Sequence, residues 1–237
     1  MINKEGLAYL VGLGEDKEPV IELHQGTYST VNLTRVTEAK AETLTVSTLT
    51  GLVDYIKSNI DILPEKLLVQ VKSHDEVMLY SPLNSDRGRE QYIKAKAILP
   101  NNVVYDRFSS TEQFNIMLQS SFVDIGDKEL LLKYTGLIKD EAVKSTGDDG
   151  ISQKVTIKTG IASVGEAVVP NPVILAPYRT FPEVKQPQSK FIFRMQEGPK
   201  AAIFEADGGA WRNVAIQWIK TYLESNLQGY KNIKIIA

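Results

Sequence analysis

Hydrophobic positions along this chain recur with two periods, and each period marks out its own elements. Alternation with a period of two, the signature of a half-buried strand, is strongest over Lys66 to Lys72 (KLLVQVK) and Glu76 to Tyr80 (EVMLY), with Ser73-His74-Asp75 as the turn between them. The same alternation predicts strands over Glu18 to Thr37 (one or two, broken at Gly26), Thr43 to Val46, Gln91 to Leu99, Ile151 to Ile161, Lys190 to Met195, Ala201 to Ala206 and Asn232 to Ala237. Helical spacing appears at Thr48 to Ile56, where Leu49, Leu52, Val53 and Ile56 share a face behind a capping threonine. It recurs from Thr111 (Phe114, Met117, Leu118), from Asp127, and over Trp211, Val214, Ala215, Trp218, Ile219 and Tyr222. Lys4 to Leu13 predicts a short helix weakened by glycine, its apolar side serving either the core or docking onto a neighbouring subunit.

The punctuation between these elements adds topology. Pro170-Asn171-Pro172 separates two short apolar runs, Ala167–Val169 and Val173–Leu175. Proline cannot donate to a ladder, which places these runs at a sheet edge or corner. Residues 144–150 (KSTGDDG) form a polar break. The densest chemistry lies in 176–218, where a proline-guided approach leads into a hairpin, Asp207-Gly208-Gly209 and an amphipathic helix, with Asp207 expected to cap that helix. These elements predict an α+β fold: one mixed, mostly antiparallel sheet system with three or four packed helices in a single domain over 1–237. Residues 1–14 are a candidate terminal docking segment.

Composition narrows the chemistry. With 237 residues, 43% hydrophobic and 24% charged, the chain has the makings of an ordinary core. A formal net charge of −2 gives no bulk polyanion-binding footprint. The absence of cysteine excludes disulfides, thiol catalysis and cysteine-ligated metals, and only His24 and His74 supply imidazoles. There is no Gly-x-Ser-x-Gly elbow, no phosphate-binding Gly-x-x-x-x-Gly-Lys loop and no apolar run of membrane-spanning length. The start of the sequence lacks the pattern of a secretion signal, so a cytoplasmic location is expected.

Two sets of residues remain as candidate sites. Glu205 and Asp207, two apart on an extended chain, and the adjacent pair Asp148 and Asp149 are the carboxylates available to hold magnesium. The competing reading makes Asp207 a cap, Glu205 the partner of Arg179, Arg194 or Arg212, and Asp148-Asp149-Gly150 a turn. Arg179, Lys190, Arg194 and Arg212 alternate with aromatic residues, a pattern suited to phosphate pairing and base stacking on single-stranded nucleic acid. A half-buried strand with phenylalanine inward and basic residues outward produces the same pattern.

Several segments together, TLTVSTLTGLVDYIKSN, EQFNIMLQSSF, DDGISQKVTIKTGIA, VVPNPVILAPYRTFPEVKQPQSKFIFRM and IFEADGGAWRNVAIQWIKTYL, resemble uncharacterised proteins of bacteriophages and of prophages in Gram-positive bacteria. More distantly the pattern is similar to the YfdQ family of prophage proteins. The resemblance implies a phage-derived cytoplasmic accessory protein and carries no catalytic residues. The expectation is therefore a non-enzymatic protein that self-associates into homo-oligomers and binds a host or phage partner. A metal-dependent phosphodiesterase and a single-strand binding or annealing protein stand as the alternatives.

Overall fold

The computed structural model describes residues 3–15, 20–23, 26–29, 40–84, 87–137, 147–148, 153–158, 164–198 and 200–237. The chain divides into two compact units, Met1–Ala41 and Glu42–Ala237. In the first, α1 (Lys4–Glu15) is followed by an antiparallel pair, β1 (Val20–Leu23) and β2 (Gly26–Ser29). The Asn3 side chain accepts a hydrogen bond from Gly6 N–H at 2.8 Å and so starts α1. The strand expectation over residues 31–36, and His24, lie outside the described residues.

The second unit runs β3 (Leu44–Val46), α2 (Leu49–Ser58), β4 (Leu67–Ser73), β5 (Glu76–Tyr80), β6 (Gln91–Lys96), β7 (Ser109–Ser110), α3 (Thr111–Ser121), α4 (Lys128–Gly136), β8 (Gly147–Asp148), β9 (Gln153–Lys158), β10 (Val164–Val168), β11 (Val173–Leu175), β12 (Ser189–Gln196), β13 (Lys200–Glu205), α5 (Trp211–Asn226) and β14 (Ile233–Ile236). The α+β class is as the sequence implies. Five helices form among the described residues, one at each of the segments with helical spacing. The sheet system divides into separate five-, four-, three- and two-stranded sheets.

The five-stranded sheet has the order β14-β4-β5-β6-β3, antiparallel at its centre and parallel at both outer pairings, β14–β4 and β3–β6. Its register lines up Leu44, Ile93, Leu79, Val69 and Ile235 in one apolar row across all the strands. Helices α2 and α5 cover that face, contributing Leu49, Leu52, Val53 and Ile56 from the one and Ile219 and Leu223 from the other. Thr48 caps α2 by accepting from Gly51 N–H at 3.1 Å. The Glu183 carboxylate, arriving from a distant loop, accepts from Thr50 N–H at 3.0 Å, where the helix dipole favours a negative charge.

The four-stranded sheet, β11-β12-β13-β7, is wholly antiparallel. Its covered face carries Phe191, Phe193, Met195, Ala201 and Ile203, packed against Phe114, Leu118 and Leu131 of α3 and α4. Phe114 and Phe193 bring their ring centres to 5.6 Å. The proline-flanked strands β10 and β11 both lie at sheet edges, as their missing donors require. The first module is discontinuous in sequence: its strands and helices come from 44–96 and 211–236, and the second module occupies 109–205 between them.

No helix among the described residues is long and apolar enough to cross a membrane.

Candidate functional site

The loop from Tyr178 to Pro187 and the start of α5 meet where the two hydrophobic cores adjoin, and the polar chemistry of the 176–218 stretch collects there. Gln186 shapes the loop: its side-chain oxygen accepts from Arg179 N–H at 2.9 Å and Thr180 N–H at 3.1 Å, and its amide donates to Phe181 C=O at 3.2 Å. That clamp drives Phe181 into the core of the first module and points Arg179 into the joint. Arg179 is 6% exposed. Its Nη1 donates to Glu205 Oε1 at 3.1 Å, and its Nη2 donates to Pro187 C=O at 3.1 Å and to Ser189 Oγ. The guanidinium carbon lies 3.8 Å from the centre of the Trp211 ring, close enough for a strong cation–π contact in a desolvated place. Burial lowers the Arg179 pKa to about 10, the neighbouring Glu205 charge opposing that fall.

Trp211 is enclosed on its other sides. Arg212 stands 4.8 Å from the ring centre and His74 meets it edge-on at 4.8 Å. Thr180 Oγ1 donates to the His74 carbonyl and ties the loop to the β4–β5 turn. His74 is therefore half-buried against an indole rather than the solvated turn residue that its sequence context suggests. Desolvation first, then the nearby cations Arg212, Lys96 and Arg179, hold its pKa below the ordinary value against the pull of Asp75. Tyr105 stacks on Phe191 at 5.8 Å, and burial raises its phenol to about 12. Two buried atoms, Arg179 Nε and Trp211 Nε1, have no hydrogen-bond partner among the described residues.

The acidic candidates do not converge. Glu205 ends β13 and is held by Arg179. Asp207 lies beyond the strand, where the alternation that would align two carboxylates no longer applies, and its Oδ1 accepts from Gly209 N–H at 3.0 Å. Nor does Asp207 cap α5, since the helix starts at Trp211 with Ala210 as its N-cap. Gly208 and Gly209 at φ +62° and +80° carry the turn between them. A Cβ on Gly209 would fall 2.2 Å from Arg212 Nη1, so glycine there also makes room for the arginine. Asp148 lies in β8 and Asp149 lies outside the described residues. Among the described residues no group of three or more His, Asp or Glu is placed to share a metal.

The basic candidates separate into two places. Arg179 is buried and engaged, and Arg212 leans on Trp211. Lys190 and Arg194 stand on the face of β12 opposite to Phe191 and Phe193, with Ile192 between them at 37% exposure. Phe191 and Phe193 point into the core, so the aromatic residues adjacent in sequence are not on this face. Its aromatic surface comes from Phe204, the cross-strand partner of Ile192, and from Phe108, which is 40% exposed and meets Phe204 edge-on at 6.2 Å. Sequence reasoning missed both. Phe204 was available from the strand parity of 201–206, whereas Phe108 sits in an irregular segment with no periodic signal.

No family model, curated protein or solved structure matches the chain.

Proposed function

We propose that this is a non-enzymatic phage or prophage accessory protein of the bacterial cytoplasm that self-assembles into homo-oligomers. It acts by binding a host or phage partner, in host defence or phage DNA metabolism. The observation that carries the reading is α1. Leu7, Tyr9, Leu10, Val11 and Leu13 are 52–68% exposed on a helix of 12 residues. A helix so apolar around its circumference is stable only when its faces are covered, and one this short is marginal alone. Docking between copies covers it. Sedimentation or mass photometry at micromolar concentration is expected to give a defined oligomer, and Leu10→Glu to lower its order. A strict monomer defeats the reading.

The face of β12 and β13 that carries Ile192 and Phe204 favours a second reading, single-stranded nucleic-acid binding. Lys190, Arg194 and Lys200 there surround the Ile192–Phe204–Phe108 surface, the combination of backbone-tracking cations and stacking platforms that such binding uses. A labelled oligonucleotide is expected to bind with steep salt dependence and to be released by Phe204→Ala. Indifference of the oligonucleotide at low salt removes this reading.

A further inference from the structure

In the second unit, three stretches of strand edge are capped by polar groups of neighbouring segments. At β11, Asp127 accepts from Ile174 N–H through Oδ2 at 2.7 Å and donates its own N–H to Ile174 C=O at 2.8 Å, while Val123 N–H donates to Ala176 C=O at 2.9 Å. Where β12 outruns β11, the Gln153 side chain imitates a strand, donating to Met195 C=O at 2.7 Å and accepting from Met195 N–H at 2.9 Å. Beyond β7, Asp106 N–H continues the ladder to Ile203 C=O at 3.0 Å. On β14 no such cap is present among the described residues. The bond from Leu67 N–H to Asn232 C=O fixes the phase of its parallel pairing with β4. By the alternation of a strand, Lys234 and Ile236 turn their backbone groups to β4, and Ile235 turns its N–H and C=O outward. No partner meets them among the described residues.

We infer that β14 pairs with β14 of a second copy, antiparallel about a two-fold axis at Ile235, so that two five-stranded sheets become one of ten. This deepens the self-assembly reading and rests on it. A two-fold perpendicular to the sheet keeps side chains on their own faces only when a residue sits opposite itself or one of matching parity. Centring the axis on Lys234 sets two ammonium groups directly opposite each other, which is unfavourable. Centring it on Ile235 sets Ile235 against its copy, with both outward backbone groups exchanged, and puts Lys234 opposite Ile236. That register also continues an existing row. Leu44, Ile93, Leu79, Val69 and Ile235 already form an unbroken apolar line, which then runs through the axis into the same line reversed.

The chain has no cysteine, so single-cysteine variants report without background. Opposed residues of a hydrogen-bonded antiparallel pair have Cα atoms about 5.5 Å apart, within disulfide range. Under mild oxidation Ile235→Cys in the full chain is expected to run as a covalent dimer on a non-reducing gel, and Lys234→Cys and Ile98→Cys as monomers. Ile235→Pro removes the outward N–H without removing a bond to β4 and is expected to shift the sedimenting species to a smaller one with the circular dichroism of the wild type. A wild-type oligomer whose Ile235→Cys variant does not cross-link, or cross-linking through Lys234→Cys instead, overturns this interface and leaves self-assembly standing. A monomeric wild type overturns both.

Discussion

The two modules of the second unit are held together by different means. Under the five-stranded sheet the core is aliphatic and ladder-led: strands up to 7 residues long set Val69, Val71, Val77, Leu79 and Ile93 in cross-strand rows, and two helices close over them. Under the four-stranded sheet, β11 has 3 residues and β7 has 2, too few for ladders to close the edges. Aromatic rings supply the bulk there (Phe114, Phe122, Phe191 and Phe193), and side chains complete the hydrogen bonding. Gln153 and Asp127 cover strand edges, and buried Lys128 donates through Nζ to Phe122 C=O at 2.8 Å. Where the edge strands β11 and β7 stop short of their 8- and 6-residue neighbours β12 and β13, particular side chains complete the joining, and each becomes hard to replace.

The contrast is sharpest at the joint, where Trp211 meets His74 of the β4–β5 turn and Arg179, the partner of Glu205. Trp211→Ala is expected to cost roughly 3–5 kcal/mol, measured by urea denaturation, and to lower the stability of both modules in one transition. Two separated transitions would break the picture of a shared joint. Gln153→Ala should cost about 1–3 kcal/mol for each Met195 backbone group left unpaired. Faster amide exchange at Met195, with β4 and β5 unchanged, would localise that loss to the second module. Ile93→Val, in the middle of an aliphatic row, should cost only about 0.5–1.5 kcal/mol. A larger loss than that of Gln153→Ala would reverse the ranking of ladder and side chain.

The smallest effect expected is a dependence on pH. The folded protein holds the His74 pKa below its unfolded value of about 6.5, so over the window below that value the unfolded chain binds more protons than the folded one. Stability is then fully present above about 6.5, declines as pH falls through the window, and levels off below the folded-state pKa. Denaturation midpoints followed downward from neutral pH should show this decline in the wild type and less of it in His74→Gln. An identical profile in both would remove His74 from the joint's energetics.

Much of this architecture is legible from periodicity. KLLVQVK and EVMLY become β4 and β5, the alternation over 190–195 becomes β12, and Thr48 caps α2, because each signal is local and agrees with its tertiary setting. The helix over 211–222 was legible as an element and, through Trp211, Ala215 and Ile219, in part of its facing. Trp211, Ala215, Ile219 and Leu223 are its buried residues, a row with a spacing of four, and Val214 lies off it at 41% exposure. An apolar stripe broader than its contact leaves that choice to the partner. The joint was only partly legible. Arg179 pairing with Glu205 was among the open alternatives, but nothing local marks Gln153 as a surrogate strand or brings His74 to Trp211. Those contacts join residues far apart in the chain, and a polar residue's partner is not encoded in its neighbours. Asp207 failed as a helix cap because two glycines at positive φ extend the turn and delay the helix to Trp211.

The discontinuity of the first module has a consequence for synthesis. As the chain leaves the ribosome, β3 to β6 and α2 emerge first, with β4 uncovered along one side and the apolar face lacking α5. The whole second module is made before either arrives, and its pairings are self-contained in 109–205. It can fold as a unit while the earlier strands wait for a helix and a strand encoded at 211–236. During that interval the nascent protein presents an open sheet edge and a hydrophobic face that α2 alone covers in part, the kind of surface that pairs prematurely with a neighbouring nascent chain.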